Sequence, residues 1–174
     1  MEKRLVLEFP SVERKEDILE YKKEFLENEE ILHGTAGLQN EESYEVWYQA
    51  VVDNGSEDTV REGLVPSTTY LGVEKETGKI VGFIDIRHRL NEYLLQYGGH
   101  IGYSVRKSER RKGYAAEMLK LALEECRKMK IEKVLVTCDR GNIGSEKTIL
   151  KNGGVFENEV PEEGHFTRRF WITL

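Results

Sequence analysis

The chain is predicted to be an α/β protein, and three observations predict it. From residue 113 to 130 the apolar residues Ala115, Met118, Leu119, Ala122, Cys126 and Met129 recur every three or four positions, the period of a helix with one buried face. Short β-like runs stand on either side, over 100–105 and 133–139, so strand, helix and strand read as a crossover that joins parallel strands. Two further pairs of strand-like runs, 68–74 with 79–87 and 155–160 with 166–173, have the short connections of antiparallel hairpins.

The remaining elements follow in chain order. Residues 4–9 read as a first strand ended by Pro10, and 12–29 as a helix with Ile18, Tyr21, Phe25 and Leu26 on its apolar side. A loop containing Gly34 and Gly37 covers 31–38, and 41–52 is a second helical stretch. Gly55-Ser56-Glu57-Asp58 is a polar break, and Lys75-Glu76-Thr77-Gly78 joins the first hairpin with a glycine at its end. Gly98 and Gly99 precede the strand over 100–105. A short helix near 145–151 leads into the closing hairpin. No internal repeat, low-complexity tract or linker interrupts this order, so residues 1–174 are expected to form one domain.

The turn that enters the central helix carries the strongest chemical signal. Arg106, Lys107, Arg110, Arg111 and Lys112 place five cations in seven residues of a chain whose formal charge is −6. A helix N-terminus has four backbone N–H groups without partners and about half a positive charge. Acidic or hydroxyl side chains would satisfy that end, and Arg110, Arg111 and Lys112 do the opposite. Gly113 costs up to ~1 kcal/mol against alanine within a helix but lets a ligand come close to the backbone. A bound anion such as a pyrophosphate would answer both features. The competing reading is a solvated basic turn with Ser108 as N-cap. The flanking strands favour the anion site, because such sites in crossover units lie beyond the carboxyl ends of the strands.

Arg110-x-x-Gly113-x-Ala115 resembles the (Arg/Gln)-x-x-Gly-x-(Gly/Ala) motif of the GNAT superfamily of N-acetyltransferases, which bind acetyl-coenzyme A. Further features agree in order: the strand ending in Val105, the long helix, the strand ending in Asp139, then Asn142, Ser145 and Ile149-Leu150-Lys151-Asn152-Gly153-Gly154, similar to the family's short helix and Asn-Gly turn. The resemblance covers residues 79–174, and the run over 87–103 looks like a bacterial branch of predicted acetyltransferases, which adds no substrate. It implies a GNAT-like mixed, mostly antiparallel sheet flanked by helices, with a splayed parallel strand pair that admits the pantetheine arm. Tyr103 and Val105 would then be its backbone partners. The amides of the loop through Arg110, Gly113, Tyr114 and Ala115 would cradle the pyrophosphate. The Arg110, Arg111 and Lys112 side chains would add charge-assisted hydrogen bonds. Asn142 and Ser145 would contact the pantetheine arm or serve as turn and helix cap, and both roles stand open.

The reaction implied is acetyl transfer from a thioester to an amine of a small molecule or peptide, by direct attack within a ternary complex. An alkylammonium must lose a proton before it attacks, and the oxyanion that forms needs a donor such as a backbone N–H. A thiol, with a pKa near ~8.5, leaves with little acid help. Many relatives carry a tyrosine acid on the short helix, and this chain has none between Asn142 and Gly153. His100, beside the expected thioester, is the catalytic candidate, with a structural or exposed histidine as the alternative. Glu92, Asp85 and Cys138 are further candidates. The segments 31–38 and 161–165, with Glu159, Glu162 and Glu163 nearby, are expected to shape the acceptor site.

Composition bounds the remaining classes. Hydrophobic residues at 39% and charged residues at 33% suit a globular protein with a polar surface, and no apolar run approaches the roughly 18 residues that cross a bilayer. Residues 1–7 lack the apolar core of a secretion signal. Cys126 and Cys138 make no CxxC pair, and His33, His88 and His165 have no companions at metal-ligand spacing, so a reducing cytoplasm and no metal are expected. Residues 141–148 miss the nucleotide P-loop because Glu146, not glycine, precedes Lys147. A net negative charge with cations confined to one loop argues against nucleic acid. The alternative to an enzyme is a non-catalytic acyl-coenzyme A sensor of the same fold. A homodimer is a habit of the family.

Overall fold

The computed structural model describes residues 2–174, so Met1, part of the stretch read for a secretion signal, lies outside the described residues. Seven strands form one sheet: β1 Leu5–Glu8, β2 Ser67–Glu74, β3 Ile80–Arg87, β4 Ile101–Val105, β5 Lys133–Asp139, β6 Val155–Glu162 and β7 His165–Thr173. The order across it is β1-β2-β3-β4-β5-β7-β6, and every neighbouring pair is antiparallel except β4 with β5. Four helices cover it: α1 Lys15–Glu27, α2 Tyr44–Asp53, α3 Tyr114–Lys128 and α4 Ile143–Lys151. None of them is long and apolar enough to cross a membrane.

Both faces of the sheet are covered, which is why β3 is buried from Ile80 to Ile86 and is apolar there but for Asp85, rather than alternating. On one face α3 buries Met118, Leu119, Ala122 and Cys126 against Val81, Ile84, Val134 and Phe170. On the other, α1 and α2 bury Tyr21, Phe25 and Trp47 against Leu71, Val73 and Phe83. The edge strand β1 is tied to α3 through Glu117, whose carboxylate accepts from the amides of Arg4 (2.6 Å) and Leu5 (2.9 Å).

Caps explain where the helices depart from the expected bounds. The second helix starts at Tyr44 because the Ser43 hydroxyl accepts from the Val46 amide. The helix near 145–151 starts two residues earlier, at Ile143, because the Asn142 side chain accepts from the Ser145 amide at 3.1 Å. The helix expected from residue 12 opens as a short 3₁₀ turn, Val12–Arg14. Among the short elements with no sequence counterpart, Leu94–Gly98 is a single π-helical turn before β4. It has no apolar period of its own and is held by distant groups, namely Thr137 Oγ1 on the Tyr97 carbonyl (2.7 Å) and the Arg169 guanidinium on the Leu95 carbonyl (2.8 Å).

The parallel pair positions the site. β4 and β5 share a single paired register, Ile101 with Val136, while β5 pairs with β7 along its full length. Below that register His100 closes the gap twice: its amide donates to the Leu135 carbonyl (2.8 Å), and its Nδ1 accepts from the Leu135 amide (2.9 Å). Above it the strands diverge, and their carboxyl ends open into a wedge.

Candidate active site

Two cavities meet in that wedge. The larger, about 940 Å³, runs from the α3 N-terminus along β4 to α4. The smaller, about 450 Å³, lies between the π turn, the residues 31–34 loop and the β6–β7 hairpin. Ile31, His33, Tyr103, Asn142 and Ser145 line both, so these residues mark the junction.

At the helix end of the larger cavity, Gly113 sits in the left-handed region (φ 83°) and no side chain caps α3. Among the described residues no protein acceptor meets the amides of Gly113, Tyr114, Ala115 and Ala116. Ser108, the alternative N-cap, lies in a separate 3₁₀ turn, Lys107–Glu109, and its own amide donates to Glu24.

The basic cluster is less free than its sequence reads, because the fold brings carboxylates to it from α1 and the turn after it. Arg106 is buried on Glu24 and donates to the Ile80 carbonyl. The Arg110 guanidinium is bidentate on Glu30 (2.7 and 3.1 Å), and its Nε donates to the Val105 carbonyl (2.8 Å). Lys112 pairs with Glu109 at 2.7 Å and does not line the cavity. Arg111 lines it, is exposed, and has no carboxylate partner among the described residues. Lys147 and Lys151 of α4 also line it, which sequence reasoning missed; both recur on one helical face, i and i+4, and that spacing was the available signal.

Tyr103, Val105, Arg110, Arg111, Gly113, Tyr114, Ala115, Asn142 and Ser145 thus lie along one cavity wall. The Tyr114 phenol itself turns away to Glu74 (2.9 Å), leaving its backbone to the cavity. At the junction the Tyr103 hydroxyl and Ser145 Oγ share a hydrogen bond of 2.6 Å. Burial pushes the Tyr103 phenol up to about 12, so it keeps its proton at neutral pH. The short helix has no tyrosine, yet a tyrosine hydroxyl reaches it from the facing strand.

His100 does not join this group. It is buried and lines neither cavity, and its Nδ1 is committed to the Leu135 amide. Burial, with the nearby Arg87 charge, lowers its pKa to about 4. Of the other candidates, Asp85 is buried against Thr69 (2.8 Å), Glu92 is exposed away from both cavities, and Cys138 lines the smaller one with its thiol raised to about 11 by burial. Among the described residues both cysteines are free and buried.

The smaller cavity carries its own charge cluster. Glu162 accepts from Thr167 Oγ1 (2.6 Å) and from the Tyr93 hydroxyl (3.2 Å). His165 Nε2 lies 3.3 Å from Glu162 and 3.4 Å from Asp139. Glu159 is turned outward, onto Arg140 and Arg168. Loop 31–38 reaches this cavity over Gly34, where an added Cβ would lie 2.5 Å from the Gly102 carbonyl oxygen.

A seven-stranded mixed sheet with one splayed parallel pair, and a glycine turn opening a helix at the mouth of the splay, is the architecture of an acyl-coenzyme A-binding acetyltransferase fold. The sequence pattern of the acetyltransferase (GNAT) domain matches residues 4–155. The chain belongs to this family. A stretch of 67 residues is 33% identical to the uncharacterized N-acetyltransferase YjdG of Bacillus subtilis (strain 168); the match spans 38% of this chain and 40% of that protein. Among solved structures, the Microcin C7 self immunity acetyltransferase MccE, in complex with acetyl-CoA and AMP, superposes with a TM-score of 0.72 at 16% identity, covering 99% of this chain and 94% of that one. A GNAT family acetyltransferase from Bacillus anthracis gives 0.63 at 16% identity, over 99% and 96% of the two chains. At these identities the likeness is one of fold.

Proposed function

We propose that the protein is a single-domain N-acetyltransferase that moves an acetyl group from acetyl-coenzyme A to an amine within a ternary complex. The observation that carries this reading is the pair of cavities meeting at Tyr103 and Ser145, one ending on the partnerless amides of α3 and the other on a carboxylate cluster. The residues fit the cofactor: open amides from Gly113 to Ala116, Arg111 (without a carboxylate partner among the described residues) and the Lys147 and Lys151 ammonium groups offer a diphosphate both dipole and charge. Beyond the last β4–β5 register the edge of β4 at Tyr103 and the Val105 amide suits an amide-bearing arm, the Val105 carbonyl being held by Arg110.

When bound, acetyl-coenzyme A supplies the thioester. Ser145, held by Tyr103, stands at the junction to relay to the departing sulfur the second proton, which the nitrogen sheds after attack, giving its own and regaining that one. His165, with Glu162 and Asp139 beside it, can take the proton that an ammonium must lose. His100 is assigned a positioning role, holding β4 to β5 where the splay begins. Two buried free thiols suit a reducing cytoplasm.

The test is thermal and chemical together. Acetyl-coenzyme A should raise Tm, and a panel of amines should release free thiol with at least one member. A Tm shift without thiol release from any amine would make the protein a sensor instead, and no shift at all would sink the reading.

A further inference from the structure

The smaller cavity is lined by both signs of charge, and the arrangement of its one guanidinium has no role in the chemistry above. Arg87, at the end of β3, is the only lysine or arginine among the lining residues. Its Nη1 donates to the Gly98 and Gly99 carbonyls (3.1 and 3.3 Å), and its Nε lies 3.5 Å from Asp85. Those contacts fix the plane of the guanidinium and leave Nη2 with no hydrogen-bond acceptor among the described residues. Gly102 faces it, and a Cβ there would stand 3.4 Å from Nη2, so the glycine keeps that edge clear.

Asp139, Glu162 and His165 line the same cavity. Tyr93 lies between the two camps: its hydroxyl donates to Glu162, and its pKa, raised by burial and by Glu162, is drawn back down by the Arg87 charge. Asp85 faces the guanidinium on its Nε side only, and burial raises its pKa while the Arg87 charge lowers it. A half-buried guanidinium held in one plane, with Nη2 left free, can give a carboxylate a charge-assisted hydrogen bond.

The geometry points to an acceptor that carries a carboxylate beside its amine, an amino-acid-like zwitterion, with the carboxylate on Arg87 Nη2 and the amine on the Asp139 side facing Ser145. The assignment rests on the acetyl-transfer reading for the reaction but not for the binding. Asp139 lines the smaller cavity together with Asn142 and Ser145, which also line the larger one, so an amine held at Asp139 is beside the junction of the two. A volume of about 450 Å³ is in the range of small-molecule sites.

Matched pairs test it: lysine with cadaverine, phenylalanine with phenethylamine, leucine with isoamylamine, and the peptides Asp-Ala-Ala and Ala-Ala-Ala as amides to ask whether a side-chain carboxylate can serve. A hydrogen bond to a charged group contributes about 1.5–3 kcal/mol, so kcat/KM by thiol release should favour the carboxylate-bearing member by roughly 10- to 100-fold. Arg87→Gln should bring that ratio toward one, mainly through KM, and Arg87→Lys should restore part of it. Saturation-transfer NMR on the same pairs, with and without coenzyme A, reads binding without turnover. Decarboxylated amines that bind or react as well in wild type would overturn the proposal, whether or not the variants fold. So would a preference that survives Arg87→Gln in a protein of unchanged Tm, or no NMR signal from any pair. A missing acetyl-coenzyme A shift would count against the acetyl-transfer reading alone, since the NMR arm without coenzyme A still decides carboxylate recognition. If only the Asp-Ala-Ala amide shows the preference, the carboxylate comes from a peptide's first side chain, and the free amino acid is overturned.

Discussion

Arg111 holds its backbone in the left-handed region (φ 63°), where a side chain costs roughly 1–2 kcal/mol. That strain sits two residues before the open amides of α3, on the one cation of the turn that lines the cavity without a carboxylate partner among the described residues. Arg111→Gly should therefore separate stability from binding. Relief of strain and the added freedom of the unfolded chain nearly offset each other, so the urea midpoint should move little. The acetyl-coenzyme A Kd should rise about tenfold, the worth of a lost charge-assisted hydrogen bond at the low end of ~1.5–3 kcal/mol. A variant with unchanged Kd by calorimetry would remove Arg111 from the site. The same reasoning applies to the proton donor. Ser145→Ala and Tyr103→Phe should each lower kcat by up to ~10²-fold, the lower part of the range for acid–base help, because a thiolate leaves readily. The double variant should be little worse than the worse single one, since the two hydroxyls share one hydrogen bond.

The loop over α1's C-terminal side shows what a local pattern can and cannot reveal. Gly34 and Gly37 read alike in the sequence, and both have positive φ, 73° and 80°. Only Gly34 is also pressed against another element: its Cβ would meet the Gly102 carbonyl oxygen at 2.5 Å, whereas Gly37 has nothing within 4 Å. Gly37→Ala should lower unfolding free energy by about 1 kcal/mol, the left-handed penalty alone. Gly34→Ala should cost more and also raise acceptor KM, because the loop must lift from β4 beside the cavity. Equal losses in urea titrations of the two variants would contradict the close approach. The strands, the four helices and the glycine turn were legible because period, caps and breakers are written in neighbouring residues. The π turn at Leu94–Gly98 was not, because Thr137, Arg169 and Arg87 hold it from afar. The pairing of Arg110 with Glu30 and of Arg106 with Glu24 was hidden for the same reason: the carboxylates arrive from another element, so a run of charge in one dimension overstated the free charge in three.

The stability of the whole molecule against acid follows from where these groups end up. His100 is buried as the neutral imidazole, with a pKa lowered by burial from the ordinary 6.5 to about 4. Between those values the unfolded chain binds a proton that the folded one refuses, so stability is fully present above pH 6.5 and drains as pH falls toward 4. His88, also lowered by burial, acts with the same sign. Glu24 and Glu109 act lower down. Hydrogen bonds and cations outweigh burial to hold their pKa values below the usual carboxylate range, so their contribution is present above about pH 4.5 and is lost below it. His100→Asn isolates the upper part of this acid limb, because the amide oxygen can accept from the Leu135 N–H where Nδ1 did, without a proton to gain. At pH 7.5 its unfolding free energy should match wild type within about 1 kcal/mol, while His100→Ala, which leaves that buried amide without an acceptor, should lose about 1–3 kcal/mol. Between pH 6.5 and 4 the wild-type Tm should fall more steeply than that of the asparagine variant. Thiol release at pH 7.5 should survive in the asparagine variant and fail in proportion to the loosened β4–β5 contact in the alanine one. Parallel Tm curves would mean that His100 titrates freely, and loss of turnover in His100→Asn with its fold intact would return the imidazole to the chemistry.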